Sequence, residues 1–488
     1  MMRASFNALD APWIPVITAE GTEEMLGIRQ TLFRAHELRE ISSASPLEEY
    51  SIYRFLGLFL MDALRPERES DIEDLLEGDR FDRRAIEDYI ALCESEGVSF
   101  DLFDENRPFL QSKFDEKTEK PDGNICRIDL TKASGNNHTH FDHGAGKNRF
   151  LQADDALRQL LITYTFITIG GRGFKQGVNG TPPYFSLIQG KQLYETLINT
   201  LLPIERIGIP FDSPPVFWRR ESIQKEDLPV VSWMQGMLLP ARRIQLVPDS
   251  EGRVTDVYFS QGESFVNNRS WRDPYVSYQL RTKKPVVPED DKAIWQNLCD
   301  IIKFDKKMSL LELYRNTRVG ETPELIVYGF KTDQAKYIQI FRYTLSIPAK
   351  LLNPDNEESI LLLYKAVSIV DNLECELKKA LLDVYVPEGE DKKKKQKKNI
   401  QQSFKDCLAL YLRQCELRFW DYCDKICASE PRLEAFIGFV DDVAKFANAA
   451  FDRAVLEGDL RAHSLVKAES ARIRLLQSIE AQKKEARM

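Results

Sequence analysis

The sequence predicts an α+β protein, with a large, mixed and irregular N-terminal domain over residues 1–352 and a C-terminal antiparallel four-helix bundle over residues 357–488. Up to about residue 350, short apolar segments alternate with most of the prolines and glycines. Beyond that point both residue types nearly disappear, and apolar residues recur with helical spacing. Between the two regimes lies Asn353-Pro354-Asp355-Asn356, a helix-breaking cluster that marks a domain boundary.

Within the first domain, local patterns predict four helices and four strands. Amphipathic spacing predicts helices over residues 47–64, 72–76, 83–94 and 154–165. Short apolar runs bounded by turn residues predict strands over residues 13–18, 243–247, 254–259 and 275–281. Because the helices and strands do not alternate regularly, we do not expect a doubly wound parallel sheet.

The second domain contains four long helical patterns, over residues of about 358–385, 400–428, 431–458 and 460–487. Their short connections favour an antiparallel bundle. The second helix carries Cys407, Cys415, Cys423 and Cys427, which spread over about 200° of its circumference. We therefore interpret these cysteines as small core residues and not as the ligands of a metal.

Composition excludes several classes of protein. The chain of 488 residues is 43% hydrophobic and carries 67 Lys and Arg against 76 Asp and Glu, a net charge of −9. It can bury sizeable cores and is not a histone-like polycation, although net acidity is compatible with a local basic groove. The longest uncharged apolar run has 13 residues, short of the roughly 18 needed to cross a bilayer. Without a secretory signal, and with scattered cysteines, the chain is expected to be cytoplasmic and without membrane attachment.

The sharpest short motif is His138-Thr139-His140-Phe141-Asp142-His143, which matches the H-x-H-x-D-H run of metallo-β-lactamase-like hydrolases. A two-metal site needs further histidine ligands downstream. The chain has 5 histidines, and only His463, in the predicted bundle, follows the motif. We therefore predict no metal and no cofactor. A zinc-dependent hydrolase using His138, His140, Asp142 and His143 is kept as the alternative function.

A second candidate site is the glycine-rich segment 170–177, Gly-Gly-Arg-Gly-Phe-Lys-Gln-Gly. Glycines let the backbone approach a ligand closely and leave its amide groups open to anions. Arg172 and Lys175 add positive charge. The segment lacks the Gly-Lys-Ser/Thr ending of a P-loop and does not match the dinucleotide fingerprint. On these residues alone, an ordinary turn and a loop that contacts phosphate or DNA are equally compatible.

The lysine-rich run 392–398 also has two interpretations. It is either a solvated loop or a contact with the nucleic-acid backbone, independent of sequence and sensitive to salt. No nucleophile elbow, Walker motif or Cys–His pair is present in the sequence. These motifs alone therefore identify no catalytic centre.

Five blocks of sequence, in order, resemble the large subunit of the type I-E CRISPR Cascade complex, the CasA family. They are residues 6–16, 107–111, 134–143, the glycine-rich segment with Thr181-Pro182, and 322–335. The predicted bundle is similar to the four-helix bundle of that family, so the resemblance covers essentially the whole chain. It implies a non-catalytic DNA-recognition subunit of an RNA-guided complex for antiviral defence.

The resemblance implies that the subunit reads a protospacer-adjacent motif from the minor groove, where the pattern of donors and acceptors is degenerate. It also implies a role in opening the duplex and forming the R-loop, in which guide base pairing supplies the long sequence readout. The implied partners are the other Cascade subunits and the guide RNA, double-stranded target DNA, and a helicase-nuclease recruited in trans.

The family's DNA contacts map onto three loops. One loop contains the residues that match the family's glycine loop, Gly170, Gly171 and Gly173, together with Arg172, which interrupts what is more often a pure glycine run, and Lys175. Gln334 matches a glutamine wedge that inserts into the duplex, with Thr332 and Asp333 beside it. Asn136 and Asn137 begin the stretch, up to His143, that matches a family loop which contacts DNA near the motif and neighbouring parts of the complex, and which is not a metal site in the family. The family's minor-groove lysine has no match within residues 262–265.

Overall fold

The chain divides into two compact units. The computed structural model describes residues 4–122, 125–129, 150–166, 174–175, 177–265, 271–279, 282–289, 292–302, 309–333, 336–353, 355–385, 402–428, 431–457 and 462–487. The first unit comprises Met1–Glu289 and Phe304–Ser346, and the second comprises Asp290–Lys303 and Ile347–Met488. The segment 290–303, which the sequence assigned to the first domain, thus groups with the bundle.

The first unit mixes strands and helices, as predicted. Its strands are β1 (Ile14–Thr18), β2 (Glu23–Leu26), β3 (Leu38–Ile41), β4 (Phe185–Gln189), β5 (Glu226–Leu228), β6 (Arg242–Pro248), β7 (Val254–Gln261), β8 (Glu263–Phe265), β9 (Glu324–Asp333) and β10 (Lys336–Ser346). Its helices are α1 (Ile28–Phe33), α2 (Pro46–Leu64), α3 (Glu69–Glu77), α4 (Arg83–Ser95), α5 (Ala153–Phe166), α6 (Leu193–Ile198) and α7 (Trp233–Met237), with α9 (Leu310–Thr317) later in the chain. Short 3₁₀ turns lie at Ile125–Arg127, Ile204–Arg206 and Phe217–Arg219.

The strands form small sheets and not one large one. Two three-stranded sheets have the orders β2-β1-β3 and β10-β9-β4, and two pairs are β6-β7 and β5-β8. All of these pairings are antiparallel except β5 with β8, which is parallel. Such short pieces of sheet fit the irregular pattern of the sequence.

Helix α2 lies at the centre of the first unit's core. Pro46 opens the helix, and Glu48 and Glu49 lie in its first turn, where they complement the helix dipole. Most side chains from Leu47 to Asp62 are buried, as expected for a helix surrounded by other elements. The ring of Phe55 lies between those of Trp13 and Trp218, at centroid distances of 6.0 and 5.5 Å. Aromatic packing therefore joins segments that are far apart in the sequence.

The second unit contains the four predicted bundle helices. They are α11 (Glu357–Tyr385), α12 (Gln402–Cys427), α13 (Arg432–Glu457) and α14 (Ala462–Ala486), preceded by α8 (Leu298–Ile302), α10 (Ala349–Leu352) and a 3₁₀ turn at Ile294–Asn297. Helices α11 and α12 are antiparallel, because Tyr422 Oη donates to Leu362 O (2.9 Å) and Tyr411 Oη donates to Val370 O (3.0 Å). The predicted antiparallel bundle is confirmed.

The segment 290–303 packs onto the bundle through an aromatic and a polar contact. The ring centroid of Trp295 lies 4.6 Å from that of Phe419. The amide of Gln296 donates to Asp371 (2.7 Å). Neither contact follows a local sequence pattern, which explains why the sequence placed this segment with the first domain.

One detail of the sequence prediction was wrong. The strand expected over residues 275–281 is absent from its described part, 275–279, where Val276 and Tyr278 make only isolated bridges. The chain turns at the start of this segment, where Val276 N donates to Asp273 O (3.1 Å) and Tyr275 N donates to the Asp273 carboxylate (3.1 Å). Strand β9, by contrast, continues through Asp333. The strand continues because β10 pairs with it along its whole length.

The last helix, α14, buries a different face from the one its large residues suggest. Its buried residues include Ala468, Ala471, Leu475 and Ile479, whereas Leu465 and Ile473 are 53% and 50% exposed. Small alanines allow the neighbouring helices to approach closely. Among the described residues, no helix is long and apolar enough to cross a membrane.

Candidate nucleic-acid interface

The glycine loop leaves α5 from a fully buried aromatic residue. Phe166, the last residue of α5, is 0% exposed. Its ring meets those of Tyr50, Phe185 and Phe330 edge-on, at centroid distances of 5.9, 5.4 and 6.0 Å. Phe330 belongs to β9, the strand that leads towards Gln334. Phe166 and Phe330, which precede Gly170 and Gln334 by four residues each in the sequence, are therefore packed against each other.

Within the glycine-rich segment, Phe174 and Lys175 are held by several contacts. Lys175 N donates to Gln261 Oε1 (2.7 Å), and Arg242 donates to Lys175 O (2.9 Å). The guanidinium of Arg242 lies 4.7 Å from the centroid of the Phe174 ring. Burial lowers the pKa of Arg242 to about 10, which leaves it protonated at neutral pH. These contacts attach the end of the loop to the adjoining ends of β6 and β7.

The side chain of Lys175 forms an ion pair with Asp227 on β5. Nζ lies 2.5 Å from Oδ1, and the two side chains are 51% and 53% exposed. Asp227 also accepts a hydrogen bond from Ser264 on β8. The hydrogen bonds from Lys175 and then Ser264 lower the pKa of Asp227, so the carboxylate is charged at neutral pH.

The position of Ser264 matters because the family's minor-groove lysine was expected within residues 262–265. Asp227 and Ser264 are direct partners in the β5–β8 pair, and Asp227 binds Lys175. Lys175 and Ser264 therefore both donate hydrogen bonds to the same carboxylate, that of Asp227. At the preceding turn, an added Cβ on Gly262 would lie 2.1 Å from Pro240 O, so only glycine fits there.

A second turn near the loop is held by a buried polar network. Asn179 Nδ2 donates to Asp273 Oδ2 (3.0 Å), and Arg54 Nη2 lies 2.8 Å from the same oxygen. The side chains of Arg54 and Asp273 are 4% and 0% exposed. A buried charge pair of this kind is costly to disrupt, because removing one partner leaves the other uncompensated. The network therefore fixes the turn at 177–180 relative to α2.

The wedge candidate lies between two long, paired strands. Lys336 is opposite Asp333, and the pairing runs to Ser346 opposite Glu324. Gln334 lies outside the described residues, and Thr332 and Asp333 are the last two residues of β9. Further along the hairpin, an added Cβ on Gly329 would lie 2.6 Å from the ring of Tyr184. The strand and that ring therefore approach as closely as glycine permits.

Several predicted site residues lie outside the described residues. They are Gly170, Gly171, Arg172 and Gly173 of the glycine loop, Asn136 and Asn137, the motif His138 to His143, and the lysine run 392–398. Within the parts of the chain that the structure describes, no group of three or more His, Cys, Asp or Glu residues could hold a metal ion.

The four cysteines of α12 are core residues, as predicted. Cys415 and Cys423 are fully buried, and Cys407 and Cys427 are nearly so. Burial raises the pKa of Cys415 to about 12 and that of Cys427 to about 11. The thiols are therefore protonated at neutral pH, whereas a metal ligand must be a thiolate.

Sequence reasoning missed the residues that support the loops. Asp227, Gln261 and Arg242 lie 52, 86 and 67 residues from Lys175. No motif or spacing links them. The only available signal was the arginine pair at 242 and 243 at the start of a predicted strand, and it does not indicate what the arginines contact.

The two-unit fold is that of the large CRISPR-associated subunits. The structure of Thermus thermophilus CasA (Cse1) matches with a TM-score of 0.73 and 23% identity, over 97% of this chain and 100% of that one. A chain of a CRISPR RNA-guided surveillance complex matches with a TM-score of 0.77 and 21% identity, over 97% and 100%.

The sequence leads to the same class and defines the family. The family model described as CRISPR-associated protein Cse1 matches residues 7–456. The chain therefore belongs to the Cse1 family, the large Cascade subunit, and the predicted family is confirmed. A curated relative, the CRISPR-associated protein CasA/Cse1 of Thermus thermophilus, is 28% identical over an alignment of 396 positions that covers 75% of each chain.

Proposed function

We propose that this chain is the subunit of an RNA-guided surveillance complex that recognises a short motif in duplex DNA beside the target. The observation that carries this proposal is the contact between Phe166 and Phe330. It joins the start of the glycine loop to the strand that leads to Gln334. A loop that reads the motif and a side chain that separates the adjacent base pairs must act at neighbouring positions on DNA, and this packing supports such an arrangement.

Within this proposal, Gly170, Gly171 and Gly173 bring the backbone close to the minor groove, and Arg172 senses the width and potential of the groove. Lys175 supplies positive charge at the foot of the loop. It supplies, towards the backbone phosphates beside the motif, a cation that residues 262–265 lack, since Lys175 and Ser264 both hydrogen-bond to Asp227. Asn136 and Asn137 contribute further contacts near the motif.

Gln334 acts as the wedge. Inserting a side chain between base steps costs a few kcal/mol of stacking per step, which is offset by the contacts that the opened duplex allows. The paired strands β9 and β10 give the wedge a rigid support, with Thr332 and Asp333 at the end of β9. Opening of the duplex then allows the guide RNA to pair with the target strand and form the R-loop.

The partners follow from the same proposal. They are the guide RNA, the other subunits of the complex, double-stranded DNA, and a helicase-nuclease that is recruited in trans and cleaves the DNA. The subunit itself is non-catalytic. Family membership and the fold shared with a chain of a surveillance complex support this role. No described residue favours the zinc-hydrolase alternative.

A binding screen tests the proposed function. The assembled complex is presented with duplexes that carry one target and a randomised flanking segment, and affinity is measured at fixed salt because charge contacts depend on it. We expect a small set of flanking motifs to bind at least tenfold more tightly than the rest. Equal binding to all flanking sequences would contradict motif recognition.

A further inference from the structure

Lys175 and Asp227, which form an ion pair, both have a backbone that is held in place and a charged group that is exposed. Hydrogen bonds from Lys175 N to Gln261 and from Arg242 to Lys175 O hold one backbone. The β5–β8 pairing holds the other, with Asp227 opposite Ser264. About half of each charged side chain remains open to solvent. A ligand can therefore reach both charges without any rearrangement of the backbone.

An exposed ion pair of this kind is weak, and measured values are typically about 0.2–1 kcal/mol. A phosphate oxygen of DNA offers Lys175 a similar partner. The exchange frees Asp227 from the lysine but leaves it close to the DNA, where its negative charge opposes binding. Ser264 continues to donate a hydrogen bond to it, so the carboxylate stays where it is.

We propose that Asp227 competes with the backbone phosphates of duplex DNA for Lys175 and thereby limits how tightly this site holds DNA. The inference rests on the proposed function, because it requires DNA to approach Lys175. It assigns a role to Asp227, which belongs to none of the sequence motifs described above and lies 52 residues from Lys175 in the sequence. A subunit that must sample many sequences benefits from such a limit, because weaker general attraction allows faster release from duplexes without the motif.

A double-mutant cycle tests this competition. The variants are Asp227→Asn, Lys175→Gln and the double variant, each in the assembled complex, with duplexes that carry or lack the preferred motif. Asparagine retains the shape of the side chain and an acceptor for Ser264 while removing the charge. We expect Asp227→Asn to tighten binding to both duplexes by up to about fivefold, which is equivalent to the upper end of the range for an exposed ion pair. In the Lys175→Gln background the same change should have little effect.

The matched control is Glu226→Gln. Glu226 is the exposed neighbour of Asp227 on β5, and its replacement removes the same charge without touching the ion pair. Its effect on affinity should be equal with Lys175 and with Gln at position 175. Circular dichroism melting curves check that each variant is folded. We expect all of them to be folded, because the replaced side chains are polar and exposed.

The outcomes separate the two proposals. If Asp227→Asn tightens binding equally with Lys and with Gln at position 175, or does not tighten it at all, the proposed competition is wrong while motif recognition stands. If the unmodified complex shows no preference for any motif, the proposed function is wrong. Absence of any DNA binding by the unmodified complex would overturn both proposals.

Discussion

The two units differ in how far local sequence patterns account for the contacts that hold each of them together. In the bundle, contacting residues lie on helices whose apolar side chains recur every three or four positions, as for Tyr422 and Phe439, whose rings stack at 4.6 Å. In the first unit, Lys175 depends on partners 52 to 86 residues away. We expect changes in the bundle core to lower the stability of the fold, whereas changes at the contacts of Lys175 should alter DNA binding.

The largest expected effect is on the bundle. Phe439 is 4% exposed, and Phe439→Ala should lower the free energy of unfolding of the bundle by about 3–5 kcal/mol, because it leaves a cavity. The measurement is chemical denaturation of the full chain. Leu417→Ala is the control: Leu417 is 73% exposed, and its loss should cost less than about 0.5 kcal/mol. Equal losses for both would show that the bundle core is not where the structure places it.

Motif preference sharpens the same comparison. We expect the assembled complex that contains Phe439→Ala to bind the flanking motifs with the same order of affinity as the unmodified complex. A changed ranking would mean that the bundle takes part in reading the motif, and the division of roles between the units would fail.

The next largest effect is expected at the wedge. Gln334→Ala should slow guide–target hybrid formation on fully paired DNA, by an amount that reflects a few kcal/mol of stacking per base step. It should spare targets that are already unpaired beside the motif. Gln339→Ala is the matched control, because Gln339 is an exposed glutamine of the same hairpin. Equal losses on paired and pre-melted targets would show that Gln334 contributes general affinity and is not a wedge.

A smaller effect is expected where the end of α5 packs against β9, at Phe166 and Phe330. Phe166→Leu keeps an apolar side chain but removes the ring contacts with Phe330, and should cost about 0.5–1.5 kcal/mol of stability. Phe211→Leu, which removes a stacked contact with Trp233 at 5.8 Å, should cost a similar amount. Only Phe166→Leu should also reduce discrimination among motifs. Unfolding and the motif screen, applied to both variants, check this difference, and equal discrimination by the two would contradict a shared base for loop and wedge.

The smallest effect concerns the lysine run 392–398. Replacing its six lysines by alanine should weaken binding to all duplexes alike. The plot of log affinity against log salt concentration should become less steep, by about 0.9 in the magnitude of its slope for each DNA phosphate that the variant no longer neutralises. Six arginines in their place should restore the slope. An unchanged slope in the alanine variant would identify the run as a solvated loop.

Much of the fold could be predicted because it follows local patterns. The helices around residues 47–64, 83–94 and 154–165, and the four bundle helices, show clear periodicity and were placed within a few residues of their observed ends. The sheet around β9 could not be predicted in this way. It joins Phe185 to Tyr328 and Phe330 to Ile340, and such pairings depend on the packing of segments that are distant in the chain.

The site was predictable only in part. The resemblance of the glycine loop and of Gln334 to the family came from short blocks of sequence. Their supports did not, because Arg242, Gln261 and Asp227 are ordinary residues until folding brings them to Lys175. One local pattern was misleading as well. Residues 275–281 have the composition of a strand, but the chain turns at Asp273, whose carboxylate accepts from Tyr275 N, and the described residues 275–279 make only isolated bridges.

The central claim is that the glycine loop and the wedge act at one place on DNA. The most direct measurement is site-specific photo-cross-linking in the assembled complex, with a photoreactive residue in place of Arg172 or of Gln334 and target DNA labelled at the motif. We predict that both positions cross-link to the motif or to the first base pairs beside it, and that neither does so on duplexes without the motif. Cross-links at two separate places on the DNA, or none from either position, would contradict the account.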